Sequence, residues 1–210
     1  MTVLYIDTSS SYLYSAIAKD NNLIGSVKEE YGQNLSTMAL PSIVELFEKN
    51  NLSPKDVDKI IVVNGPGSFT GIRIGITIAK VYAWTLNIPI TTIYSLEAMA
   101  ISNKQSKNKI PILNARRGYV YAAIFDKENN IILKPQHIEF DRLMSEVNKL
   151  DDYVFISNDE FEDNINKEAY SPDFVGIINK FKDKENIEPH AVNPEYLKLT
   201  EAEEKLWLKN

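Results

Sequence analysis

The 210-residue chain carries 29 acidic against 23 basic side chains, a net charge of -6, and 44% of its residues are hydrophobic. That composition is ordinary for a globular protein of one large domain or two lobes, and it lacks the positive footprint of a free-standing nucleic-acid binder. Cysteine is absent, which excludes disulfides, thiol catalysis and thiolate metal sites, and with no run of about 18 apolar residues the expected location is the cytoplasm, away from membranes.

Val3 to Asp7 predicts a buried strand, and Tyr12 to Lys19 with Leu23 to Lys28 predict a hairpin turning at Asp20-Asn21-Asn22. A helix is predicted from Thr37 to Lys49, with Pro41 near its first turn, where a missing N–H is tolerated. Ser53-Pro54-Lys55-Asp56 signals a short capped turn. The β-branched run Ile60 to Val63 predicts a buried strand of a parallel or mixed sheet. It feeds the loop Asn64-Gly-Pro-Gly-Ser-Phe-Thr-Gly-Ile-Arg-Ile-Gly75 and then a helix from Thr70 to Leu86, a strand from Ile90 to Tyr94 and a helix from Leu96 to Ser102.

The polar run from Ser102 to Lys109 reads as a linker, dividing the chain into lobes 1–102 and 103–210. Beyond it the opening pattern returns. Tyr12-Leu-Tyr-Ser-Ala-Ile-Ala18 is echoed by Tyr119-Val-Tyr-Ala-Ala-Ile-Phe125, and five residues before each first tyrosine stand Asp7 and Asn114, both at the end of an apolar strand. Two lobes that each open on three strands and add helices suggest a duplicated α/β architecture of mixed sheets flanked by helices. This is the architecture of actin, sugar kinases and heat-shock ATPases, the actin-like or ASKHA fold.

The glycine loop sits at a strand's carboxyl end, where open α/β sheets place ligands. Its spacing has one residue too many for G-x-G-x-x-G, and no Gly-Lys-Ser/Thr follows as in a P-loop. A loop that opens a helix still offers free N–H groups to an anion. Two readings therefore stand: a nucleotide site built from Asp7, Thr8, Gly65, Gly67, Ser68 and Arg116, or a structural turn. Asp7 could equally bond its own backbone, and Arg116-Arg117 could equally be a solvated turn. Asn114 cannot act as a general base or bring charge to a cation, so hydrolysis is expected to be impaired. His137 and His190 lie in unrelated polar contexts, are expected at the surface and form no metal-binding helix face. No metal, cofactor or nucleophilic triad is expected.

Gly71, Gly75, Ala79 and Ala83 recur every four residues, a narrow stripe of small side chains along one helix face. That helix is either sandwiched inside its own lobe or docks another protein together with the preceding helix. The expected interface comprises Met38, Leu40, Ile43 and Phe47 on the first helix, and Ile72, Arg73, Gly75, Ile76 and Ala79 on the second. Near the end, Thr200-Glu-Ala-Glu203 is a capping box opening a terminal helix that carries Leu206 and Trp207, either docked on the body or free.

The glycine loop, Ala115-Arg-Arg-Gly118 with Tyr121-Ala122-Ala123, and Asn193-Pro-Glu-Tyr-Leu-Lys198 together resemble the TsaB family, formerly YeaZ, of bacterial tRNA threonylcarbamoyladenosine biosynthesis proteins. The resemblance runs from Met1 nearly to the C-terminus. It implies an actin-like fold and a non-catalytic scaffold that binds and activates the transferase TsaD. The ATPase TsaE would complete that complex, which modifies adenosine 37 of tRNAs reading ANN codons. The chain departs from the family pattern at Leu35-Ser36-Thr37, where His-Ser-Glu is usual, and at Asn114, where aspartate is usual. An unoccupied docking face would favour a homodimer of the isolated chain, with tRNA reached only through the complex. The competing readings are a stand-alone actin-like ATPase or nucleotide-binding protein, and a metal-dependent glycoprotease against which the histidine count argues.

Overall fold

The computed structural model describes residues 1–161 and 165–198. The first sheet contains β1 (Thr2–Asp7), β2 (Tyr12–Lys19), β3 (Asn22–Glu30), β4 (Lys59–Gly65) and β5 (Ile90–Tyr94) in the order β3-β2-β1-β4-β5. β1 runs antiparallel to β2 and parallel to β4, and it is buried along its whole length. One face carries α1 (Leu35–Lys49) and α2 (Phe69–Leu86); α3 (Ser95–Ser102) follows β5. α1 begins at Leu35, two residues before the expected start, and β4 continues through Gly65, so the first glycine of the loop is strand rather than turn. α2 ends where Asn87 adopts the left-handed conformation, a C-terminal stop that asparagine tolerates better than most side chains.

The second sheet repeats this plan. It holds β6 (Asn108–Asn114), β7 (Tyr119–Phe125), β8 (Ile131–Glu139), β9 (Tyr153–Ile156) and β10 (Lys167–Glu168), in the order β10-β9-β6-β7-β8, with α4 (Phe140–Val147) on one face. Position for position this is the first sheet again, antiparallel and parallel pairings included. The echoing segments are β2 and β7, and Asp7 and Asn114 end the matching strands β1 and β6. The molecule therefore has the actin-like, ASKHA fold, with two mixed sheets flanked by helices.

The compact units do not follow the two continuous halves expected from sequence. One comprises Met1–Lys104 and Tyr170–Glu195; the other comprises Gln105–Ala169 and resumes at Tyr196. The reason lies in α5 (Phe174–Phe181), whose Phe174, Ile177, Ile178 and Phe181 pack with Val3, Tyr5 and Ile61 on the face of the first sheet opposite α1 and α2. Asp173 caps it, accepting from the Gly176 N–H at 3.1 Å and ion-pairing with Lys104. The expected capped helix from Thr200, with Leu206 and Trp207, lies outside the described residues. No described helix is long and apolar enough to cross a membrane.

Ile177 is fully buried under the first sheet, so Ile177→Ala should destabilise the protein by about 2–5 kcal/mol. Equilibrium urea unfolding followed by circular dichroism measures it.

Candidate functional site

The turn after β1 meets the glycine loop after β4. The Asp7 carboxylate is buried and accepts from the Ser9 N–H at 2.8 Å and from the Tyr5 hydroxyl at 3.2 Å. Burial raises its pKa above the usual carboxylate value, and the bonds from Ser9 and Tyr5 only partly oppose this. The Thr8 hydroxyl donates to the Gly71 carbonyl inside α2 at 2.7 Å. From the loop, the Ser68 N–H donates to the Ser9 carbonyl at 2.7 Å, and the Ser68 hydroxyl caps α2 by accepting from the Gly71 N–H.

The glycines make this approach possible. A Cβ on Gly67 would overlap the Ser9 carbonyl, one on Gly71 the Thr8 carbonyl, and one on Gly65 the Glu195 carbonyl. The last contact belongs to a second clasp: the Glu195 N–H donates to the Asn64 carbonyl at 2.7 Å, and Ser95 donates to the Pro66 carbonyl at 2.6 Å. Two of the three sequence signatures, the glycine loop and Asn193-Pro194-Glu195, thus touch each other. The third, Ala115-Arg116-Arg117-Gly118, forms the β6–β7 turn of the second unit, with Arg116 exposed at φ 65° and the Arg116 N–H held by Asn114 Oδ1 at 2.8 Å.

The structure therefore brings Asp7, Thr8, Gly65, Gly67 and Ser68 together, but ties them to one another. The hydroxyls of Thr8 and Ser68 and the Ser68 N–H, which a phosphate would need, already bond within the fold. Among the described residues no group of three His, Asp or Glu side chains converges as a metal site would require. His137 departs from its expected place at the surface: it is half-buried on β8, its ring stacked on Tyr119 at 4.7 Å. His190 is exposed, with its ring edge near Trp84 at 5.8 Å.

The expected docking residues divide sharply. Ile43, Phe47, Ile72, Gly75, Ile76 and Ala79 are buried in the core between the helices and the first sheet. The small-residue stripe faces inward because Gly71 and Gly75 must admit the Thr8 turn and Ile6; a leucine at Gly75 would probe that packing, not an interface. Met38, Leu40 and Arg73 remain outside. Beside them sequence reasoning missed Val44 on α1 and Phe69, Val81 and Trp84 on α2, with Trp84 67% exposed. Arg73 lies over the Phe69 ring, 3.8 Å from its centre. The helical signal existed, since Leu40 and Val44 stand four apart and Val81 and Trp84 three apart, each pair sharing a face.

Two outcomes follow. Gly71→Ala should cost about 1–3 kcal/mol by forcing the Thr8 carbonyl back, whereas Thr77→Ala, exposed on the same helix, should stay within about 0.5 kcal/mol; denaturant midpoints separate them. Because the Asp7 pKa is raised on folding, its contribution is most favourable below the ordinary carboxylate range and is lost as pH rises through the raised value. Asp7→Asn should therefore raise thermal stability at neutral pH, with the gain shrinking on acidification, as a melting series across pH reads directly.

Residues 10–205 match the family described as TsaD: tRNA N6-adenosine threonylcarbamoyltransferase. The tRNA threonylcarbamoyladenosine biosynthesis protein TsaB of Bacillus subtilis is 32% identical, across 100% of this chain and 99% of its own. The protein of that name from Buchnera aphidicola subsp. Schizaphis graminum is 31% identical over 71% of each chain. A crystal structure described as an uncharacterized protein with similarity to peptidase YEAZ from Pseudomonas aeruginosa has a TM-score of 0.76 at 19% identity, covering 94% of this chain and 99% of that one. YeaZ from Pseudomonas aeruginosa gives 0.72 at 18% identity, covering 93% and 99%. The two structures share the fold, and the sequence relatives share the family: this chain belongs to the TsaB (YeaZ) family of tRNA threonylcarbamoyladenosine biosynthesis proteins.

Proposed function

We propose that the chain is a non-catalytic subunit of the tRNA threonylcarbamoyladenosine machinery, which binds and activates a TsaD-type transferase through the outer sides of α1 and α2. The observation that carries this reading is the apolar and aromatic exposure there, at Leu40, Val44, Phe69, Val81 and Trp84, on two helices whose other sides already fill the core. Aromatic residues and arginine are enriched where proteins meet, and Phe69 with Arg73 and Trp84 supply both. The match of residues 10–205 to the TsaD family supports the partner. Two proteins of one architecture can pair through like surfaces about an approximate two-fold axis, and the same surfaces would join two copies of the isolated chain. A TsaE-type ATPase would complete the assembly, and the net charge of -6 favours tRNA contact through the complex.

The internal ties of Asp7, Thr8 and Ser68 favour an assembly role over turnover. Leu40→Asp with Val81→Asp, both exposed, should abolish co-purification with the cognate TsaD-type transferase. Folding stability should stay within about 0.5 kcal/mol per site. Undiminished complex formation by that double variant would remove α1 and α2 from the interface. Calorimetry of the isolated chain with ATP and Mg²⁺ should give no turnover; hydrolysis that disappears in Asp7→Ala would instead make the chain an ATPase.

A further inference from the structure

The two sheets share one connectivity but not one cover. In the first unit the crossover from β4 to β5 carries the 18-residue α2, whose Ile72, Ile76, Ala79 and Ala83 seal the sheet. In the second unit the matching crossover from β9 to β10 spans only residues 157–166, and its described residues form no helix. α4 packs over β7 and β8, and between it and β9 lies a pocket of about 470 Å³. Phe140, Met144, Tyr153, Phe155 and Ile165 make its apolar wall. Phe155 belongs to the second core and Phe140, Met144 and Ile165 form its margin, so the pocket opens onto that core.

We propose that this pocket seats the chain's own C-terminal segment, residues 199–210, as a helix in the place that α2 holds in the first unit. From Tyr196 the chain has returned to the second unit, and the segment follows directly on Lys198. The nine residues from there to Trp207 reach at most about 30 Å, about the width of a small domain. The capping box from Thr200 to Glu203 starts a helix, and Leu206, Trp207 and Leu208 supply the large apolar side chains that an aromatic-walled pocket accepts. Glu201, Glu203 and Glu204 would complement Lys107 and Lys167 on the pocket's lining. The present partners of those lysines, Asp152 at 3.2 Å and Glu160 at 3.8 Å, form surface pairs that are readily exchanged.

The chain contains two tryptophans, Trp84 and Trp207, so Trp84→Phe isolates the second as a reporter. In that background the full-length protein should emit to the blue of a synthetic peptide of residues 199–210 and be quenched less by acrylamide. Adding Met144→Asp should move both readings toward the peptide. Should that variant lose its native circular dichroism, Tyr153→Asp, at the pocket's exposed edge, replaces it. Trp207 as exposed in the full-length chain as in the peptide overturns the proposal. Shielding that survives substitution of the pocket wall overturns it equally, because the segment would then dock elsewhere.

Discussion

The first unit depends on how closely α2 approaches the end of β1. Two backbone segments, the Thr8-Ser9 turn and the first turns of α2, come together where a single methyl group at Gly67 or Gly71 would part them. The contact is fixed by reciprocal bonds: Thr8 donates to the Gly71 carbonyl, and the Ser68 N–H to the Ser9 carbonyl. With α2 held that near, Ile72, Ile76, Ala79 and Ala83 settle on Leu4, Ile6, Ile60 and Val62, and α1 packs alongside through Phe47 against Tyr82. The direction of every other side chain on α2 follows. Once the small residues face the sheet, Phe69, Val81 and Trp84 point outward.

That constraint also decides what the strand-end turn can do. In an α/β sheet a glycine loop at a strand's carboxyl end is a common place for ligands, because free N–H groups and helix ends converge there. Here the same groups serve the fold. The glycines answer to backbone neighbours at Ser9, Thr8 and Glu195, and Asp7 is enclosed with Tyr5 and Tyr170, whose phenols burial and the nearby carboxylate push far above their ordinary pKa. A turn consumed by packing and a helix pair exposed on its far side are two results of one arrangement, and both favour assembly over turnover.

Much of the fold was legible in the sequence, because alternating and β-branched runs mark the strands and the repeat around Tyr12 and Tyr119 marks the duplication. The inward face of α2 was not. A helix apolar on most sides gives two answers to the question of which side is buried, and only the Thr8 carbonyl, a contact 63 residues away in sequence, decides between them. The same holds for α5. Ser171-Pro172-Asp173 ahead of an apolar octet is a readable helix start, but nothing local says that it packs on a sheet whose last strand ended at Tyr94. His137 misled through its polar neighbours, since a strand alternates its faces and Tyr119 and Tyr121 share its side.

The return of Tyr170–Glu195 to the first unit bears on the order of events during synthesis. A chain leaving the ribosome can assemble β1 to β5 under α1 and α2 once Tyr94 has emerged. The opposite face of that sheet stays without α5, and the glycine loop without its clasp from Glu195, until most of the protein has been made. Domains commonly fold as units from the N-terminus as they emerge; here the first unit must wait, half covered, while the second is translated through its middle. The nascent chain thus carries an exposed apolar sheet face for more than a third of its length, a window in which a folding helper would have most to protect.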